Sequence, residues 1–166
     1  MTVVALEPTE VEVPPTLALQ LDRECGSSPH EIKAATESGF DELMAFAGTH
    51  RVQFTGPPRS IYTAYGPAGV QFTLAIPVAG AVPAEASAQV RVADLPGGKT
   101  LRFTHTGPYE RLSDTYTAIT GWMKEHGRME SEADWMKYMP MWEEYVGNPD
   151  TTPPEQLVTH IHLPLP

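Results

Sequence analysis

Residues 99–127, KTLRFTHTGPYERLSDTYTAITGWMKEHG, decide the fold class. Thr100–His105 alternates apolar and polar residues as a strand does. A Thr-Gly-Pro turn follows. From about Tyr109 to His126, Leu112, Tyr116, Ile119 and Met123 recur at the spacing of one buried helix face. Gly127 suits the residue after a helix end, and Lys124 and His126 suit the negative pole of the helix dipole. Downstream, DWMKYMPMWEEYV (134–146) combines aromatics, methionines and acids in a way a scaffold does not require.

Working outward, Met141–Val146 is expected as a strand ending at Gly147-Asn148-Pro149, and Leu157–Leu163 as the last strand. Residues 2–8 are expected as a loose tail or edge strand. Val11, Val13, Leu17, Leu19 and Leu21 have period two with a break at Pro14-Pro15, and Arg23–Ser28 reads as a loop. Pro29 opens a helical stripe through Ile32, Ala35, Phe40, Leu43, Met44 and Ala47. Gly39 is expected to divide it and Gly48 to end it. A short strand at Ser60–Tyr65 precedes VQFTLAIPV (70–78), which alternates cleanly. AGAVPAEAS (79–87) reads as a linker, Ala88–Val92 as a further strand and Pro96–Lys99 as a hairpin turn.

The order strand, helix, strand, strand therefore occurs twice. The expected fold is α+β: two βαββ modules, about 11–80 and 88–164, in one domain spanning 1–166. They would share a mostly antiparallel sheet with both helices on one face. The sheet face away from the helices is the expected place for a concave groove with polar side chains.

The chain has 11 basic and 21 acidic residues, a net charge of −10, and no Lys/Arg-rich run, which argues against direct nucleic-acid binding. The same balance is compatible with cationic small molecules. Cys25 is the only cysteine, the N-terminus lacks a signal-peptide pattern, and no apolar run is long enough to span a bilayer. A cytoplasmic protein without a membrane partner is expected. No nucleophile elbow, phosphate loop or dinucleotide fingerprint is present, so no cofactor is expected. His160 and His162 share a strand face but have no third ligand at useful spacing. They read as exposed-face histidines rather than metal ligands.

HTGPYERLSDTY (105–116), the W-x-x-x-H-G helix end (122–127), WEEYVGNPD (142–150) and the closing LVTHIHLPL (157–165) together resemble the GyrI-like small-molecule-binding domain. That domain serves as the effector-binding part of AraC- and MerR-type regulators and also stands alone. The chain resembles the stand-alone kind. The resemblance implies two pseudo-twofold βαββ modules around a central ligand groove. It also implies a glutamate two residues before an aromatic position on a late strand, which reaches into that groove. The matching positions are Glu143 and Tyr145, and the Gly-Pro-Tyr signature falls on Gly107, Pro108 and Tyr109. The implied ligands are bulky, hydrophobic and cationic aromatic compounds. Some stand-alone members hydrolyse strained cyclopropane-containing alkylators, and others modulate a partner protein.

From the residues alone, Glu143 and Tyr145 share one strand face and Trp142 and Glu144 the other, so each face has one acid and one aromatic. Only the resemblance selects Glu143. Around it, Trp135 and Tyr138 are candidates for a lid or wall, Tyr62 or Tyr65 for the opposite side of the groove, and Tyr109 and Trp142 for further contacts. Trp122 is a candidate for core or pocket floor. In a hydrolase, Glu143 would be the acid/base, with Tyr145 or Tyr109 steering the reacting oxygen. Homodimerisation is left open.

Overall fold

Backbone pairing in the computed structural model resolves the alternating segments into one antiparallel sheet with two long helices. The structure describes residues 7–80 and 89–165. The strands are β1 (Thr9–Val13), β2 (Thr16–Cys25), β3 (Arg59–Gly66), β4 (Gly69–Pro77), β5 (Val90–Leu95), β6 (Gly98–Thr106), β7 (Met141–Val146) and β8 (Val158–Pro164). Helices α1 (Pro29–His50) and α2 (Leu112–Glu125) follow β2 and β6. Most of the linker expected at 79–87, the start of the strand expected at Ala88–Val92 and most of the expected N-terminal tail lie outside the described residues.

The sheet order is β1-β6-β8-β7-β3-β4-β2-β5, so β2-α1-β3-β4 and β6-α2-β7-β8 occupy mirrored places about a central β7·β3 pair. β1 pairs with β6 at one edge and β5 with β2 at the other. Residues 96–99 are therefore not the turn of a hairpin: β5 and β6 lie far apart in the sheet order. Leu95 pairs with Thr16 and Gly98 with Val13, so the register of β2·β5 runs unbroken into that of β1·β6. One two-stranded ribbon thus crosses from one side of the sheet to the other at Pro14-Pro15 and Pro96-Gly97. A sheet with this connection must curl into a half-barrel. At the crossing the backbones nearly touch, since a Cβ on Gly97 would lie 2.3 Å from the Val13 carbonyl oxygen.

Both helices pack on one face. Leu43 and Ala47 of α1 and Ile119 and Met123 of α2 share a core with Leu19, Leu21, Phe72, Leu74, Phe103 and Ile161. The other face has its own cluster of Ala18, Ile61, Ala75, Leu95 and Trp142, with no helix residue in it. Curling of the sheet buries these side chains.

Several boundaries differ from the sequence reading. β2 continues to Cys25, through residues expected to be loop, because Arg23–Cys25 pair with Val70–Phe72. α1 is unbroken at Gly39 and passes Gly48, ending at His50 with Arg51 in the left-handed region. Gly39 is needed for close approach: a Cβ there would sit 2.2 Å from Leu74 Cδ1. Ser28 caps the helix, accepting from the Glu31 amide (3.2 Å), while the Glu31 carboxylate accepts from Ser28 Oγ and from the Gly26 amide (both 3.0 Å). No helix among the described residues is long and apolar enough to cross a membrane.

Candidate functional site

β7 follows a 3₁₀ segment, Glu132–Tyr138, and pairs with β3 on one side and β8 on the other. Alternation along β7 sends Met141, Glu143 and Tyr145 to the helix-bearing face, and Trp142 and Glu144 to the other. The acid selected by resemblance is thus between sheet and helices, not on the open groove face that polarity alone suggested. The Glu143 residue is 5% exposed.

Tyrosines bind both of its oxygens. Tyr116 of α2 donates to Oε2, and Tyr145 donates to Oε1 at 2.6 Å. Tyr145 also shares a hydrogen bond with Ser60 Oγ (2.9 Å), and since a phenol carries one proton, the serine supplies the hydrogen of that second bond. Tyr62, on the same face of β3 as Ser60, is a third phenol near the carboxylate and favours its charged form. Further rings surround these. Tyr109 and Phe40 stand edge-on to Tyr145, with centroids 5.6 and 6.1 Å away, and Trp135 stands edge-on to Tyr116 at 5.8 Å. Rings from α1, the α2 region, β3, β7 and the 3₁₀ segment thus converge on one carboxylate.

Burial pushes the Glu143 pKa up, and bonds from Tyr116, Tyr145 and Tyr62, with the nearby His105, hold it back. The phenols of Tyr62, Tyr116 and Tyr145 are driven well above their usual value by burial first and the Glu143 charge second. None of the ion pairs among the described residues includes Glu143. The groups hydrogen-bonded to its oxygens are therefore neutral phenols.

The sequence candidates divide accordingly. Glu143, Tyr145, Tyr109, Tyr62 and Trp135 come together. Tyr65 does not: a bulge between Tyr62 and Ala64 shifts the β3 register, and Tyr65 is 52% exposed. Tyr138 is buried with its hydroxyl on the Arg128 carbonyl (2.9 Å), a structural anchor of the 3₁₀ segment. Trp122 stacks on His126 and meets Phe103 edge-on. Trp142 is buried on the helix-free face, stacked on His162. His162 is buried rather than exposed, and His160 is half-buried.

Three participants escaped the sequence reading. In the sequence Tyr116 stands out only as part of the α2 core stripe, although a phenol in an otherwise aliphatic stripe needs a polar partner. Ser60 and Phe40 carried no signal of their own.

The GyrI-like small molecule binding domain family matches residues 6–166, nearly the whole chain. The chain belongs to this family. No curated protein matches the sequence. Among solved structures, this GyrI-like domain resembles the EcmrR C-terminal domain at 14% identity and a TM-score of 0.70, with 97% of this chain and 98% of that one covered. It also resembles a hydrolase from Listeria innocua (16% identity, TM-score 0.60, 95% and 91% covered). A third match is SAV2435 bound to tetraphenylphosphonium (13% identity, TM-score 0.62, 96% and 94% covered). At these identities the likeness is one of fold. Fold and aromatic-lined buried region together are those of a small-molecule-binding domain.

Proposed function

We propose that this GyrI-like domain binds bulky, apolar cations, with Glu143 as the counter-charge and Tyr62, Tyr109, Tyr116, Tyr145 and Trp135 as the surrounding wall. The observation that carries the proposal is a buried carboxylate ringed by aromatics and included in no ion pair among the described residues. A soft organic cation has a small hydration cost, can take the charge of Glu143 and can use the negative faces of the rings at once. The lipophilic cation held by SAV2435, a structure of the same fold, supports this class of ligand.

Tyr109, Tyr116, Tyr145, Phe40 and Trp135 are half-buried, whereas the carboxylate is buried. The rings form the outer layer, and a ligand reaches Glu143 by rotating them aside. The phenol bonds to Glu143 are then exchanged for the cation.

Titration with tetraphenylphosphonium, followed by tryptophan fluorescence, tests the reading. Trp135 touches Tyr116, so binding is expected to give a saturable change at micromolar to millimolar ligand, about the range of −8 to −4 kcal/mol. A flat titration across a panel of such cations would sink it.

One observation favours a second reading, hydrolysis of a strained electrophile. A buried acid with an upward-shifted pKa, hydrogen-bonded to two phenols, is equipped for proton transfer to an opening ring. Chromatography of a cyclopropane-type alkylator after incubation distinguishes the two readings. Product formation that disappears in Glu143→Gln supports catalysis, and unchanged alkylator supports binding alone.

A further inference from the structure

Tyr109 and Tyr116 each follow directly after a residue that is hydrogen-bonded to the same buried imidazole. His105 is the last helix-facing residue of β6 and is 5% exposed. Its Nδ1 shares a hydrogen bond with Thr115 Oγ1 (2.5 Å), and its Nε2 shares one with the Pro108 carbonyl oxygen (3.0 Å). Thr115, itself buried, precedes Tyr116 on α2, and Pro108 precedes Tyr109.

The partners decide which nitrogen carries the proton. A carbonyl oxygen only accepts, so Nε2 donates. In the neutral ring Nδ1 then accepts from the Thr115 hydroxyl. A doubly protonated ring would keep both links, with the hydroxyl accepting instead. The proton on Nε2 is required in either state.

Few other groups fix this junction. Gly107 takes a φ of +135° and donates its amide to the Leu157 carbonyl (2.8 Å), and the Arg111 amide donates to the Pro108 carbonyl (3.0 Å). Neither the 3₁₀ turn Tyr109–Arg111 nor α2 has a side-chain cap at its start. A capping residue would fix such an entry from the helix itself. Here a ring on the sheet does so. Because the imidazole is planar and rigid, its two links hold turn and helix in one fixed relation to β6. His105 acts through these links and not on the carboxylate directly. β8 lies between β6 and β7, with Thr159 opposite both His105 and Tyr145.

We propose that His105 is the positioning residue of the Glu143 site, holding the backbone at Tyr109 and Tyr116 so that the aromatic wall opens by ring rotation alone. Its purpose rests on the ligand-binding reading of Glu143, but its geometry does not. Tyr109 meets Tyr145 edge-on and Tyr116 donates to Glu143, so a turn free to shift would loosen both. Held by His105, the wall is ordered on folding, and less ordering is left for the ligand to impose.

Nuclear magnetic resonance of the histidine-labelled wild-type protein tests the geometry. The His105 Nε2 proton is expected to be visible and slow to exchange with water, and an unprotonated Nε2 overturns the proposal. In the unliganded protein, Overhauser contacts between the Tyr109 and Tyr145 rings are expected in wild type. They should persist in His105→Gln, whose amide nitrogen falls where Nε2 stood, and vanish in His105→Phe. Contacts retained in His105→Phe, or lost in both variants alike, overturn the proposal. Tetraphenylphosphonium affinity should follow the same order, about threefold to tenfold weaker in His105→Phe and within about twofold of wild type in His105→Gln. Equal affinities in all three proteins also overturn it. If wild type does not bind the cation, the reading of Glu143 falls, while the ring contacts still decide the role of His105. The wild-type proton measurement needs no variant, so a folding defect in His105→Phe leaves the question decidable.

Discussion

Ser60 and Glu143 face each other across the antiparallel β3·β7 pair, the seam where the two mirrored halves of the sheet meet, and Tyr145 bonds to both side chains. The candidate site is thus built on the most central backbone pairing of the fold. α1 contributes Phe40 from one half and α2 contributes Tyr116 from the other.

Tyr116→Phe removes the phenol donor to Oε2 of a buried carboxylate. A buried acceptor on a charged group that loses its partner costs about 1–3 kcal/mol. Urea unfolding at neutral pH should show that loss, whereas Tyr65→Phe, at an exposed position, should change stability by under about 0.5 kcal/mol. Equal effects from the two variants would mean that Tyr116 is only packing.

The folded pKa of Glu143 lies above its usual value of 4.5, chiefly through burial. A raised acid favours folding below the unfolded pKa, and that contribution fades as pH rises through the folded value. The stability of wild type minus that of Glu143→Gln should therefore fall as pH climbs from about 4.5 toward neutrality. A difference independent of pH over that range would show that the carboxyl titrates as it does in the unfolded chain.

His162 behaves in the opposite sense. Its folded pKa is about 3 against 6.5 for the free side chain, with burial the largest cause and Arg59 the next. The unfolded chain takes up this proton below about pH 6.5 while the folded protein refuses it, so stability declines as pH falls from 6.5 toward 3. His162→Asn should flatten part of that decline in acid-titration circular dichroism. An unchanged acid limb would place the loss on other groups.

Gly97→Ala would bring a Cβ within 2.3 Å of the Val13 carbonyl oxygen and 2.7 Å of the Pro15 nitrogen. Both neighbours are backbone and cannot rotate away, so a cost of about 1–3 kcal/mol is expected in thermal or urea unfolding. Gly98→Ala meets no atom, although its φ of +141° is itself unfavourable for alanine. The clash at 97 should make that variant the less stable of the two.

Local pattern carried much of the fold. The alternation of residues 70–78 and the 112–123 stripe are written in neighbouring residues, and the structure has β4 and α2 there. Family membership, read from ordered fragments between 105 and 165, is matched over residues 6–166. What failed was non-local. The partner of β5 is β2 rather than β6, because the half-barrel closes through a ribbon whose register spans the whole sheet. Gly39 looked like a helix breaker, but its reason is Leu74, 35 positions along the chain. Residues 141–146 carry an acid and an aromatic on each face, so only the position of the helices decides that Glu143, not Glu144, is enclosed by tyrosines.

Calorimetry with a charged and an uncharged ligand of similar shape, tetraphenylphosphonium and triphenylphosphine oxide, tests the central claim most directly. Each is titrated into wild type and Glu143→Gln. If Glu143 is the counter-charge, wild type should prefer the cation, and Glu143→Gln should lose about 10- to 100-fold in cation affinity, equal to about 1.4–2.7 kcal/mol, with little change for the neutral compound. Equal losses for both compounds, or no loss for either, would contradict the account.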